Sequence, residues 1–112
     1  MTIYHNPRCR KSRETLAILE DKGIQPEIVL YLDQVPNKAS LQKIVQKLGI
    51  RPFELVRKGE AVYKEQFKGK ELSDEEWLEA MVAHPKLIER PIVIKGEKAV
   101  IGRPPENVLA LI

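Results

Sequence analysis

The chain has one cysteine, Cys9, placed between a short apolar segment and the start of a helix-like pattern. A helix N-terminus offers unpaired backbone N–H groups and the positive end of the helix dipole, and both favour a thiolate. Arg8, Arg10 and Lys11 add positive charge beside the sulfur. Because the thiolate is the nucleophilic form, this setting indicates a catalytic thiol. A lone cysteine is more commonly a small buried hydrophobe, but this flanking sequence is too polar and basic for that.

Three arginines stand in otherwise apolar segments: Arg57, Arg90 and Arg103. A guanidinium keeps its charge and presents its N–H donors in a fixed fork, which suits the capture of oxyanions. Arg90 and Arg103 flank a predicted hairpin near the C-terminus. We therefore expect the arginines to converge on Cys9, although an isolated arginine is most often simply a surface cation.

His5 lies four residues before Cys9 and could hold the thiolate or supply a proton. The alternative is a polar residue with an ordinary partner at the end of a strand. The only other histidine, His84, stands in a His-Pro pair at a helix end, where a structural role is expected. We therefore predict no metal site.

Composition limits the possible classes of protein. A chain of 112 residues fits one domain, which we predict to span 1–112. The net charge of +3 comes from interspersed charges, so a small anion is a better partner than nucleic acid. One cysteine allows no internal disulfide, which suits a reducing compartment. With no apolar run long enough for a membrane and no signal-peptide pattern, we expect a cytoplasmic protein without a membrane partner.

The elements predicted around Cys9 form a βαβ unit. Residues 2–4 read as a strand, residues from about 11 to 22 as a helix that ends at Gly23, and residues 27–31 as a second strand. Such a unit requires the two strands to be parallel.

The remaining residues predict a helical stretch followed by a hairpin and a closing helix. The helices begin near Pro36-Asn37, at Pro52 and at the capping box Ser73–Glu76. The hairpin comprises residues 91–94 and 98–101, and the closing helix follows Pro104-Pro105. The order β-α-β, helical insertion, β-β-α predicts an α/β thioredoxin-like fold with a helical insertion between the second and third strands. In such folds the reactive group follows the first strand, where Cys9 stands.

The run Ile3-Tyr4-His5-Asn6-Pro7-Arg8-Cys9-Arg10-Lys11-Ser12-Arg13 resembles the active-site signature of the glutaredoxin-coupled arsenate reductase family, or ArsC family. The resemblance continues in family order through Leu30-Tyr31-Leu32, Leu55-Val56-Arg57-Lys58, His84-Pro85, Leu87-Ile88-Glu89-Arg90-Pro91-Ile92-Val93 and Gly102-Arg103-Pro104-Pro105-Glu106. It spans essentially the whole chain. Longer members more often carry small residues where Arg8, Arg10 and Lys11 stand, so the chain is most similar to the shorter branch.

The resemblance implies a role for each residue of the site. Cys9 matches the nucleophile, and His5 and Ser12 match positions that stabilise its thiolate through hydrogen bonds. Asn6 falls beside the site in a structural role, and Pro91 falls where the fold carries a cis-proline. The residues that match the family's oxyanion-binding arginines are Arg57, Arg90 and Arg103.

The resemblance also implies reduction of arsenate to arsenite in arsenic detoxification, with no bound cofactor. Cys9 attacks arsenic, glutathione as co-substrate forms a Cys9–S–As–S–glutathione species, and glutaredoxin then releases arsenite. Two alternatives stay open. One is a glutathione-dependent thiol transferase or a reductase of another oxyanion. The other is a non-redox regulator related to members of the superfamily that bind RNA polymerase. A redox switch is excluded, because Ser12 stands where a Cys-x-x-Cys switch needs its second cysteine.

Overall fold

Four short strands build one sheet in the order β2-β1-β3-β4. In the computed structural model, which describes residues 1–112, β1 pairs in parallel with β2 and antiparallel with β3, and β3 and β4 form an antiparallel hairpin. The parallel βαβ unit and the terminal hairpin are thus confirmed. The strands are β1 Thr2–Tyr4, β2 Glu27–Val29, β3 Ile92–Lys95 and β4 Lys98–Ile101.

The chain divides into two compact units. The first comprises Met1–Gln34 and Arg90–Ile112 and contains the whole sheet, and the second is the segment Val35–Glu89. The second unit corresponds to the helical insertion predicted between the second and third strands, and the thioredoxin-like fold class is confirmed. The prediction of a single domain over 1–112 stays a prediction.

The first unit packs α1, Arg10–Asp21, and a C-terminal 3-10 helix, Pro105–Leu111, on the sheet. Alternation along β1 buries Ile3 completely and leaves its neighbours in the strand partly exposed, as a strand with one covered face requires. The helix ends as predicted, with Gly23 in the left-handed region at φ 75°, which favours glycine. The core consists of Ile3, Leu19, Val93, Val108 and Leu111.

Two predictions in this unit are wrong in detail. The second strand ends at Val29 instead of residue 31, because the chain turns at Leu30, whose carbonyl accepts hydrogen bonds from the N–H groups of Asp33 and Gln34. Tyr31 is fully buried in that turn. The closing helix is a 3-10 helix and not an α-helix.

The second unit is helical, with α2 Lys38–Leu48, α3 Ala61–Gln66 and α4 Asp74–Ala83. The Asn37 side chain accepts a hydrogen bond from the Ser40 N–H, and Ser73 and Glu76 form the predicted capping box. Short 3-10 turns cover Pro52–Leu55 and Pro85–Leu87. No pattern in the sequence predicts α3, which buries no residue. No helix of the chain has the length and apolar character that a membrane crossing needs.

Strand pairing brings four chain segments to one edge of the sheet, which we call the loop edge. Tyr4 pairs with Val29 on one side and Ile92 on the other, and Ile92 pairs with Ile101. The carboxyl ends of β1, β2 and β4 and the amino end of β3 therefore lie together. The segments that adjoin the loop edge are residues 5–9, 30–34, 90–91 and 102–103.

Candidate active site

Asn6 holds the segment that joins β1 to α1. Its backbone N–H donates to Ser12 Oγ at 3.1 Å, and its carbonyl accepts from the Cys9 N–H at 3.0 Å. Its side-chain Oδ1 accepts from the Arg8 N–H at 3.0 Å. Because the residue is buried, water does not compete strongly for these bonds. The predicted structural role of Asn6 thus has a physical basis: it fixes the path of the backbone that carries Cys9.

Cys9 is the N-cap residue of α1, with extended backbone angles and a partly buried side chain. Burial is the largest single influence on its thiol and opposes ionisation. The backbone N–H of Ser12, the hydrogen bond and charge of Arg90 and the backbone N–H of Lys11 together outweigh that burial. The pKa of Cys9 therefore lies below its ordinary value, as a reactive thiol requires.

Two of the three predicted arginines reach the sulfur. Arg90 hydrogen-bonds the thiol group, and Arg103 Nη1 lies 3.8 Å from Cys9 Sγ. The same Nη1 donates to the Arg90 carbonyl at 3.3 Å, so the two residues also hold each other. Both come from the segments that flank the β3–β4 hairpin at the loop edge. A nucleophilic sulfur with two guanidinium groups beside it is suited to attack a small oxyanion.

Arg57 belongs to the second unit. There its Nη1 donates to Glu89 Oε1 at 3.1 Å, and its Nε lies 3.5 Å from Glu60 Oε1. Its assignment as an oxyanion ligand stays a prediction.

His5 is buried and bonds to Ser12, with 2.6 Å between His5 Nδ1 and Ser12 Oγ. Ser12 is completely buried, and its backbone N–H is the group that bonds the thiol of Cys9. Burial, and then the charge of Arg13, lower the pKa of His5, so the ring is neutral at neutral pH. His5 thus bonds to a residue that stabilises the thiolate, while its own role in catalysis stays a prediction.

The charges next to Cys9 in sequence do not act as predicted. Arg8, Arg10 and Lys11 are exposed, and Arg10 pairs with Glu14 at 2.8 Å. Lys11 favours the thiolate through its backbone N–H. The side-chain charge that lowers the pKa of Cys9 comes from Arg90 instead, because the fold brings that residue to the sulfur and leaves the neighbouring cations in solvent.

A tight contact at Gly102, which the sequence did not reveal, helps to position Arg90 and Arg103. The Arg90–Pro91 peptide bond is cis, as the resemblance implied, and Arg103–Pro104 is also cis. Gly102 donates its N–H to the Pro91 carbonyl at 2.9 Å. The Thr15 hydroxyl shares its one hydrogen between two carbonyl oxygens, that of Lys11 at 2.8 Å and, more weakly, that of Gly102 at 3.3 Å. Only the position of Gly102 beside the Arg103 motif could have drawn attention to it.

The ring of His84 lies edge-on to Phe67 with 5.7 Å between centroids, a packing contact of the kind that a structural role requires. No group of three or more His, Cys, Asp or Glu side chains is arranged to hold a metal ion.

Comparison with known proteins adds independent information. Residues 4–111 match the model of the ArsC family. A protein named arsenate reductase from Haemophilus influenzae is 52% identical over 98% of this chain and 97% of its own length. An uncharacterized protein of Escherichia coli K12, YfgD, is 50% identical over 98% of this chain and 94% of its own. A solved structure of arsenate reductase from Vibrio cholerae superposes with a TM-score of 0.96 at 48% identity, covering 99% of this chain and 96% of that one.

Proposed function

The chain belongs to the ArsC family, and on that premise we propose that it reduces arsenate to arsenite through Cys9, with glutathione and glutaredoxin as reductants. One observation carries the proposal: a partly buried thiol at the start of α1 with Arg90 and Arg103 at its sulfur. The names of the relatives from Haemophilus influenzae and Vibrio cholerae support arsenate as the substrate.

In the first step the Cys9 thiolate attacks arsenic, a sulfur–arsenic bond forms, and one oxygen leaves as water or hydroxide. Arsenic stays pentavalent in this exchange. Arg90 and Arg103 offset the negative charge of the oxyanion and of the crowded intermediate, which is the contribution expected of fixed donors in a partly desolvated site. Arg57 would supply a third guanidinium by the same family correspondence.

Reduction needs thiols from outside the chain, because Cys9 is its only cysteine. The glutathione thiolate bonds to the arsenic and displaces a second oxygen. A glutaredoxin thiolate then attacks the glutathione sulfur, and the electron pair of the broken sulfur–arsenic bond reduces arsenic to the trivalent state. Water releases arsenite from Cys9, and the mixed disulfide of glutaredoxin and glutathione carries the oxidising equivalents. Such a cycle suits the cytoplasm, where thiols are kept reduced.

The test is NADPH consumption by the purified protein with arsenate, glutathione, glutaredoxin and glutathione reductase. We expect turnover that Cys9→Ser abolishes. Arg103→Gln should raise KM for arsenate and lower kcat, because it removes a donor beside the sulfur. Arg10→Gln is the matched control, since this arginine is exposed and paired with Glu14.

Full turnover by Cys9→Ser would refute the mechanism. Absence of arsenate turnover would refute the substrate assignment, provided that Cys9 is still readily alkylated at neutral pH. In that event a mixed disulfide between Cys9 and glutathione, detected by mass spectrometry, would favour the thiol transferase reading.

A further inference from the structure

The segment that carries Cys9 has two flanks, because β1 lies between β2 and β3 in the sheet. Arg90 and Arg103 come from the flank formed by β3 and β4. On the other flank the turn after β2 and residues 5–8 enclose a cleft of about 280 Å³, to which the turn contributes Leu30, Leu32 and Asp33. The proposed reaction brings two reactants to one sulfur, and Arg90 and Arg103 contact that sulfur from the flank of β3 and β4.

The cleft combines apolar surface with two opposite charges. Leu30 and Leu32 are each 37% exposed, which is a large exposure for leucines at the mouth of a cleft, and Pro7 is exposed as well. Arg8 and Asp33 supply one positive and one negative side chain, both exposed. Neither enters an ion pair with another residue of the chain. Both charges are therefore available to a ligand.

The cleft is small, with a volume of about 280 Å³. Sites for small molecules usually measure roughly 300–1,000 Å³, so this volume suits part of a short peptide. A ligand that matches the lining carries a carboxylate and an ammonium close together, with a less polar portion beside them. The γ-glutamyl end of glutathione has that pair of charges on one carbon atom.

We propose that this cleft binds glutathione, with its γ-glutamyl carboxylate at Arg8 and its ammonium group at Asp33. The inference rests on the proposed function, since it identifies where the second reactant of that cycle enters. The bound thiol approaches the Cys9–arsenic adduct from the flank opposite Arg90 and Arg103. Its thiolate forms a sulfur–arsenic bond, an arsenic oxygen leaves as water, and arsenic stays pentavalent until glutaredoxin acts.

Two variants test the cleft by steady-state kinetics. Arg8→Ala and Asp33→Ala should each raise KM for glutathione by about tenfold or more, the size expected for loss of a hydrogen bond to a charged group. KM for arsenate should change much less, because the oxyanion ligands lie on the other flank. The matched controls are Arg10→Ala and Asp21→Ala, exposed residues that do not line the cleft.

A binding measurement keeps this inference separate from the proposed function. S-methylglutathione, which cannot react, is titrated into the full chain and followed by NMR of backbone amides. We expect shifts at residues 5, 6, 8 and 30–33 that Arg8→Ala and Asp33→Ala weaken. If these shifts appear without any arsenate turnover, glutathione binding in the cleft is supported and arsenate as the substrate is refuted. If turnover occurs while both variants keep the wild-type KM for glutathione and the shifts fall elsewhere, the cleft is refuted.

Discussion

Gly102→Ala is the substitution for which the structure makes its sharpest prediction. A Cβ at this position would lie 2.5 Å from Thr15 Oγ1 and 2.8 Å from Pro91 Cγ. Contacts this short do not occur, and both neighbours are fixed: Thr15 is fully buried, and the pyrrolidine ring of Pro91 cannot rotate away. The backbone of residues 102–103 must therefore move.

The free energy of unfolding should fall by an amount that two effects determine. Forcing an extra carbon into a packed interior costs about 1–3 kcal/mol. Displacement also strains or breaks the weaker bond from Thr15 Oγ1 to the Gly102 carbonyl, which adds at most the roughly 0.5–1.5 kcal/mol of a full hydrogen bond. A urea titration followed by far-UV circular dichroism measures the loss.

The same substitution should make Cys9 less reactive. Gly102 adjoins Arg103, and its N–H bonds the carbonyl of Pro91, which follows Arg90. Movement there takes both guanidinium groups from the sulfur, so the pKa of Cys9 should rise. The measurement is the rate of alkylation by iodoacetamide between pH 5 and pH 9, read as the midpoint of its rise.

Gly59→Ala is the matched control, because a Cβ at Gly59 meets no atom within 4 Å. A double-mutant cycle with Thr15→Ala adds a second check, since this change removes the nearest contact of the new methyl group. The double variant should lose less stability than the sum of the single losses. Equal urea midpoints for Gly102→Ala and Gly59→Ala, or strictly additive losses in the cycle, would refute the reasoning.

Three further predictions follow from single contacts. Arg90→Gln should raise the pKa of Cys9 by removing the charge at its sulfur, and the pH profile of alkylation should then move to higher pH. An unmoved profile would show that the backbone N–H groups are sufficient to lower the pKa of the thiol. His5 has a pKa below its ordinary value of 6.5, so the unfolded chain binds a proton more readily. The contribution of His5 to the free energy of unfolding is therefore complete above about pH 6.5 and is lost as the pH falls below that value. We expect the urea midpoints of the wild type and of His5→Gln to converge on acidification. Midpoints that keep a constant difference as the pH falls would contradict this. Ser73→Ala should lower the free energy of unfolding by about 1 kcal/mol, because the hydroxyl accepts a hydrogen bond from the Glu76 N–H at the start of α4. Ser73→Asp should retain most of this stability, because aspartate also caps helices. Equal losses in the two variants would argue against capping.

Local patterns predicted the elements well where neighbours in sequence decide the structure. Gly23 and the capping box at Ser73 marked real helix ends, because both act within one turn. The second strand was predicted too long because its apolar run continues to Tyr31. Burial of that side chain in a turn, not strand pairing, explains the run.

The site was predictable as far as it depends on one strand and one helix. The connection between β1 and α1 determines the position of Cys9, and both elements can be predicted from residues close to it in the sequence. The interactions that position Arg103 join Thr15 to Gly102, 87 residues apart, and a single sequence gives no sign of such a pair. The sequence also predicts Arg90 near Cys9, from its apolar setting beside the hairpin. It does not reveal that the charge of Arg90, and not the charges of Arg8, Arg10 and Lys11, lowers the pKa of the thiol.

Arg103 and the cysteine that it contacts are separated by 94 residues, so this guanidinium reaches the sulfur only when distant parts of the chain meet. Closing so long a loop costs entropy that contacts between neighbours in the sequence do not, so we expect this contact to form later than the start of α1. Until then the sulfur lacks this guanidinium, and we expect it to react more slowly with alkylating reagents than in the native protein. The reactivity of Cys9 can therefore report on folding. Brief pulses of alkylating reagent during refolding, analysed by mass spectrometry, would show when the native site first assembles.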